Sequence, residues 1–348
     1  MSSHKRIHTL DLLRFFAAFG VVIYHFAARP GSEYAISSVA KFGYLGVPIF
    51  FMISGFVIAI SAQGRTAYQF GVSRFARLYP GLWVGIAFTT LVVYLVAGTA
   101  PQAIQVITNA MLINDYVGQP DIDGVYWTLH TEIKFYACVF LLIAVGLFPK
   151  YKIWLSIWLG LTVLHRLTGE PFFLGWFISP AWSPYFIAGV AMFHMSENKP
   201  GPFNLTVLIF ALLLGAIHSY ESASGFIWDA TLADRLIASG LFLLSALGLV
   251  AIALRVLAIG SFHWVVTLGA MTYPLYLIHN KAGKALIDGP LSFLSEFSAI
   301  FVTVAFMLFC SYVIFRFVER PLGNAIRRFF LAFPDRLAII KNVIAARS

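Results

Sequence analysis

The ionisable residues of this chain are few, and several stand inside apolar runs. Arg14 and His25 lie in the first run, Glu132 in the fourth and His279 in the ninth. A charge at such a position is costly, so each is a functional suspect by default. At roughly 100° and 1.5 Å per residue, the step from Arg14 to His25 returns to within about 20° of the same helix face, roughly 16 Å further along it. One face thus carries a guanidinium near one end and an imidazole toward the other. Structural uses remain open: Arg14 can snorkel to headgroups and His25 can bond across a helix interface.

Three more groups carry possible chemistry. Arg74 and Arg77, three apart on one helical face in Ser73-Arg74-Phe75-Ala76-Arg77-Leu78-Tyr79-Pro80, can clamp a phosphate or serve as charged anchors at a membrane border. Pro80 suits the start of the helix that follows. Glu132 and Tyr136 share a face, and a carboxylate near the depth of His25 can orient an imidazole, as in nucleophile–base–orienter systems; a structural pair of Glu132 with Lys134 or with another helix is the alternative. Tyr276 and His279 lie three apart at a span end, where an interfacial tyrosine is also ordinary packing. Ser54 and Gly55 read as close-packing small residues, with a polar role for Ser54 the other option. Glu319-Arg320-Pro321 reads as a helix terminus with a local ion pair.

The elements that must position these groups follow from composition. Of 348 residues, 60% are hydrophobic and 11% charged, against about 25% charged in soluble domains; mean hydropathy is +0.83. This excludes a soluble enzyme and a disordered chain, and no polar stretch approaches the roughly 50 residues of a minimal second domain. Apolar runs at 11–28, 43–62, 80–98, 128–148, 153–168, 180–195, 203–220, 236–254, 266–281 and 293–315 predict an all-α bundle of about ten transmembrane helices. The fifth, sixth and ninth are short, which implies tilt or local thinning. Within 99–127, the part 101–113 suits a short interfacial helix. The net charge of +9 comes from bases that punctuate apolar runs and collect on the side of the N-terminus, so both termini are expected in the cytoplasm. A nucleic-acid binder would cluster them on one solvated face. The first run reads as a retained helix, since no clean cleavage pattern follows it. Cys138 and Cys310 read as small buried hydrophobes, and no metal site is expected.

In order along the chain, several pieces resemble the acyltransferase-3 family of integral membrane acyltransferases. They are Leu10-Asp11-Leu12-Leu13-Arg14 with His25; Phe50-Phe51-Met52-Ile53-Ser54-Gly55-Phe56; Arg74 to Pro80; Trp127-Thr128-Leu129 with Glu132 and Phe135-Tyr136; Tyr273 to His279; and Glu319-Arg320-Pro321. Each is weak alone, but together they span residues 10 to 321. The resemblance implies a single transmembrane acyltransferase domain over 1–348, multi-pass in a bacterial inner membrane, with 322–348 a basic amphipathic cytoplasmic tail. It implies acyl transfer, acetyl by default, from cytoplasmic acetyl-CoA or another acyl-CoA to a hydroxyl of an extracytoplasmic or lipid-linked glycan, as in exopolysaccharide or lipopolysaccharide O-acetyltransferases. Many relatives append a periplasmic hydrolase-like domain; this chain is expected to be a stand-alone member. No permanent cofactor is implied; the partners are membrane lipids, acyl-CoA and the glycan.

The roles expected from this are specific. Arg14, Arg74 and Arg77 grip the donor's phosphates, and His25 is general base on a sugar hydroxyl that attacks the thioester. Glu132 orients or charge-stabilises His25. Tyr136, Tyr276 and His279 are the outer-side candidates for oxyanion or acceptor contacts, and Ser54 and Trp127 line the channel. A covalent acyl-histidine relay remains open. So does a proton-coupled transporter or flippase, in which Glu132, His25 and His279 form a proton relay, although neither inverted repeats nor broken midplane helices stand out.

Overall fold

A computed structural model of the chain describes residues 7–28, 35–169, 175–176, 178–197, 200–260 and 262–332. Every regular element among them is helical: α1 His8–Ala27, α2 Ala35–Ala40, α3 Gly46–Ala62, α4 Ala67–Ala97, α5 Ala103–Met111, α6 Trp127–Ala144, α7 Tyr151–Thr168, α8 Ser183–Glu197, α9 Pro202–Phe226, α10 Leu232–Ala253, α11 His263–Ile278, α12 Asn280–Asp288, α13 Glu296–Ile314 and α14 Arg320–Leu331. A π-helical turn, Phe315–Glu319, joins the last two. Seven segments are long and apolar enough to cross a membrane, which makes this a multi-pass membrane protein. Helices α7, α8 and α11 occupy the three runs read as short spans, so the expectation of ten crossings rests on them.

Below, the face at which α1 starts is called proximal and the opposite one distal. The proximal face gathers the start of α1 and the 254–262 connection, where Ile259 N donates to Thr9 Oγ1 at 3.0 Å. The distal face gathers the end of α11, the start of α6 and the 112–126 connection. Helix α8 is apolar on every side because protein surrounds it, with α3, α7, α9 and α10 packed around it. Its 15 residues need not match the bilayer thickness alone. The α3–α8 crossing depends on glycine: a Cβ at Gly55 would meet the Phe186 carbonyl, and one at Gly189 the Met52 carbonyl. Close backbone approach of this kind substitutes for the hydrophobic drive that lipid removes.

Two elements differ from expectation. The third crossing does not begin at Pro80: α4 starts at Ala67, where Thr66 and Gln69 form a reciprocal capping box, and continues through Pro80 to Ala97. Pro80 deprives the Ala76 carbonyl of its usual i+4 donor, and Gly323 of α14 packs against that carbonyl. At 31 residues α4 is about 46 Å long, more than a bilayer core, so its first turns carry Arg74 and Arg77 at the proximal border. The second addition is α12, where only a loop was anticipated; the chain bends at His279 and resumes as a helix. The expected short helix in 101–113 is present as α5. Of the basic tail 322–348, residues through 331 form α14, whose Phe330 carbonyl accepts from Tyr68 Oη at 2.7 Å; 333–348 lie outside the described residues.

Because the α3–α8 contact is backbone against backbone, Gly55→Ala and Gly189→Ala should each destabilise the detergent-solubilised protein by about 2 kcal/mol. Gly160→Ala, where a Cβ meets nothing within 4 Å, should be neutral. Thermal aggregation midpoints of the three variants check this.

Candidate active site

Five helices turn polar faces toward a row of cavities along the bundle. The proximal cavity, about 170 Å³, is lined by Arg14, Ser54, Arg74, Arg77, Glu132, Tyr136 and Tyr273 among others. Arg74 Nη2 donates to Ser61 Oγ at 3.0 Å and Ser73 Oγ at 3.1 Å, and its guanidinium sits against the Phe70 and Tyr136 rings. Arg77 pairs with Glu319, which the π-helical turn brings against α4, and faces the Tyr273 ring. The Nε atoms of Arg14 and Arg74 are buried with no hydrogen-bond partner. Buried donors without acceptors are rare.

Four residues, Arg14, Ser54, Glu132 and Tyr273, also line a second cavity of about 60 Å³ directly distal. At this junction Ser54 Oγ and Tyr136 Oη both donate to Glu132 Oε1, at 2.8 and 2.5 Å. The distal end of the second cavity is closed by Tyr276, whose hydroxyl accepts from Thr128 Oγ1 at 3.0 Å and donates to the Val125 carbonyl at 3.3 Å. Beyond it the His279 ring lies 5.7 Å from the Tyr276 ring and 5.2 Å from the His25 ring, centre to centre.

Asp123 holds this distal end together. Its carboxylate accepts from Lys281 N and Asn280 Nδ2, both at 2.8 Å, and from Val125 N at 3.2 Å. It thereby caps α12 and ties it to the start of α6. Burial raises the Asp123 pKa above the usual carboxylate value, and those three hydrogen bonds pull it back down.

The structure therefore unites Arg14, Ser54, Arg74, Arg77, Glu132 and Tyr136 at one cavity, and His25 with His279 and Tyr276 at the distal end. Four expectations are revised. Glu132 makes no hydrogen bond to His25: its carboxylate meets Ser54 and Tyr136 at the cavity junction, and the neighbour of His25 is His279. Nor does Glu132 pair with Lys134, whose ammonium lies over the Trp176 ring. Tyr136 is not on the distal side, because its position one turn beyond Glu132 carries it toward Arg74. Glu319 forms no local ion pair with its own turn but reaches Arg77, 242 residues away. Trp127 stands one layer behind the cavity, packed on Phe51 and Trp182. Tyr273 and Asp123 were missed. The only sequence signal for Asp123 was the Asp123-Gly124 turn, and Tyr273 showed none beyond its place in a motif.

On the other face of α6, a polar cavity of about 600 Å³ lined by Thr131, Lys134, Arg166, Trp182 and His218 opens distally. Nearby on α6, His130 Nε2 lies 3.3 Å from Asp121 Oδ1 and 3.8 Å from Asp115 Oδ2 of the 112–126 connection. This trio has the ligand types to hold a metal ion. It also serves as a plain ion-pair clasp between that connection and α6.

A bundle of membrane-crossing helices, with arginines, a serine and a carboxylate lining an internal row of cavities, defines a class of multi-pass membrane proteins with a polar site inside the bundle. The chain belongs to the acyltransferase domain family Acyl_transf_3, whose model matches residues 7–316. It is 27% identical over 286 residues to nodulation protein 10 of Rhizobium leguminosarum bv. viciae, covering 63% of this chain and 77% of the relative. It is 28% identical over 145 residues to the acyltransferase MdmB of Streptomyces mycarofaciens, 38% of each chain. It is 29% identical over 190 residues to the peptidoglycan O-acetyltransferase OatA of Listeria monocytogenes, 47% of this chain and 29% of the relative. The match thus spans less than half the length of the last two. No solved structure matches the chain.

The Arg77–Glu319 contact gives a test of how the proximal cavity is built. Glu319 is 4% exposed and Arg77 33%, on the cavity side. Removing one partner of a fully buried pair costs about 3–5 kcal/mol, and the exposure of Arg77 reduces this, so Glu319→Ala should cost about 2 kcal/mol. The double variant Arg77→Met with Glu319→Leu should recover that stability, as measured by thermal unfolding.

Proposed function

We propose that this protein is a membrane O-acyltransferase that takes an acyl group, acetyl by preference, from acyl-CoA on the proximal, cytoplasmic side and delivers it to a hydroxyl of a glycan on the distal side. The observation that carries this reading is the row of two cavities sharing Arg14, Ser54, Glu132 and Tyr273, with arginines at the proximal end and Tyr276 closing the distal one; His25 stands beyond Tyr276, beside His279. Membership of the acyltransferase family and similarity to the peptidoglycan O-acetyltransferase OatA support a surface-glycan acceptor.

In this reading Arg74, Arg77 and the unpartnered Nε of Arg14 receive the donor's phosphates. The pantetheine arm passes the Ser54–Glu132–Tyr136 junction. The distal cavity, about 60 Å³, accepts about four water-sized groups at roughly 15 Å³ each. That is the size of an acetyl thioester head and too small for a long acyl chain. His25, about 16 Å distal to Arg14 along α1, takes the proton from the acceptor hydroxyl as it attacks the thioester. Glu132 acts at the junction, where its carboxylate fixes Ser54 and Tyr136. Distal aromatic surface, including Trp176 and Tyr116, supplies stacking for sugar rings.

Three outcomes follow. His25→Ala should abolish acetylation while the protein still inserts, measured as acetyl content of the surface polysaccharide; activity within about threefold of wild type would remove His25 from the chemistry. Arg74→Ala should weaken coenzyme A binding by about tenfold or more, read by calorimetry. Phe50→Ala, which enlarges the distal cavity, should lower the acetyl-CoA over butyryl-CoA preference by about tenfold in a competition assay.

A further inference from the structure

The two ring nitrogens of His279 have different surroundings. Nδ1 lies 2.8 Å from the Tyr276 carbonyl and 3.1 Å from the Leu275 carbonyl. A carbonyl only accepts, so the proton of neutral His279 sits on Nδ1 and Nε2 is a bare acceptor. That Nε2 is buried without a hydrogen-bond partner, in a residue with 0% of its surface exposed. A neutral imidazole held this way presents an acceptor, not a donor, at Nε2.

The donor it lacks stands beside it. His25 is the nearest ring, at 5.2 Å, against 5.7 Å for Tyr276 and 6.3 Å for Phe26. The Tyr276 hydroxyl is engaged with Thr128 and the Val125 carbonyl, and phenylalanine has no N–H or O–H to give. The two ring centres are 5.2 Å apart, close enough that a change in side-chain torsion brings their nitrogens together. The rings are tilted by 47°, so rotation of the His25 side chain brings a ring N–H onto His279 Nε2. His279 itself is fixed, because Asp123 holds Asn280 and Lys281 next to it.

We propose that His279 is the positioning residue of His25: its bare Nε2 accepts one ring N–H of His25, which leaves the other His25 nitrogen unprotonated and presented to the acceptor. This rests on His25 being the general base. In the transfer step the acceptor O–H bond breaks and its proton passes to that bare nitrogen. The hydroxyl oxygen forms the new C–O bond at the thioester carbonyl. The C–S bond breaks, and the departing thiolate takes the proton back from His25. His279 stays neutral throughout and lowers the cost of the transient imidazolium through its lone pair.

The test uses the full-length protein in nanodiscs with ¹⁵N-labelled histidine. Wild type should show a single His25 tautomer with one strongly hydrogen-bonded N–H. His279→Phe should give a mixture of His25 tautomers and lower kcat by about 100-fold, with the KM for acetyl-CoA changed less than about twofold. His279→Gln, whose carbonyl restores an acceptor, should recover about tenfold of that loss. A mixed His25 tautomer in wild type, or Phe and Gln variants indistinguishable in rate, overturns the proposal. The wild-type spectrum decides even where a variant fails to fold. If His25→Ala keeps its activity, the general-base reading falls instead, whatever the tautomer shows.

Discussion

An ionised carboxylate inside a membrane helix bundle persists only where neighbouring groups replace water, and Glu132 is where this constraint is met most tightly. One of its oxygens accepts from both Ser54 on α3 and Tyr136 on its own helix, and Arg14 on α1 is within electrostatic reach. Two helices, α3 and α6, are thereby tied at one depth by a single carboxylate. The two cavities meet at that depth, so the interaction that makes the charge tolerable also sets the width of the passage between them.

Much of the surrounding architecture serves to keep this depth fixed. Gly55, next to Ser54, lets α3 lie against α8, so Ser54 has a rigid backbone behind it. The Tyr273 hydroxyl donates to the Leu78 carbonyl of α4 at 2.7 Å, two residues before Pro80, and its ring covers Arg77. Glu319 arrives from the far end of the chain to balance Arg77. At the distal end Asp123 ties the bend after α11 to the start of α6. The charged groups are thus distributed so that each buried cation or anion has a partner or faces a cavity, as a low-dielectric interior requires.

What was legible in the sequence was whatever depends on one helix at a time. The shared face of Arg14 and His25 follows from helical arithmetic, as does the Arg74–Arg77 pair, and the apolar runs located the helices to within a few residues at most positions. Contacts between helices were not legible. Glu132 was assigned to His25 because both stood near the same depth, but rotation of α6 about its axis decides the partner, and no single-chain periodicity encodes that. Ser54 and Gly55 were read as close-packing residues with a polar, channel-lining role for Ser54 left open; the structure divides them, glycine to the α8 contact and serine to the cavity. Pro80 misled because a capping box fourteen residues earlier outweighs it once Gly323 and Tyr273 accommodate the interrupted ladder. Asp123 carried no signal beyond a turn, since its value lies in reaching Asn280 and Lys281 across 157 and 158 residues.

The central claim is that one protein carries an acyl group through the row of cavities from a donor on the proximal side to an acceptor on the distal side. Sealed proteoliposomes test it most directly, with the protein oriented so that its proximal face is inside, [¹³C₂]acetyl-CoA enclosed, and surface polysaccharide from cells lacking this protein added outside. The account predicts ¹³C-labelled acetyl esters on the external polysaccharide while coenzyme A stays inside. Labelled polysaccharide only after the vesicles are lysed, or coenzyme A released to the outside together with the label, would contradict it.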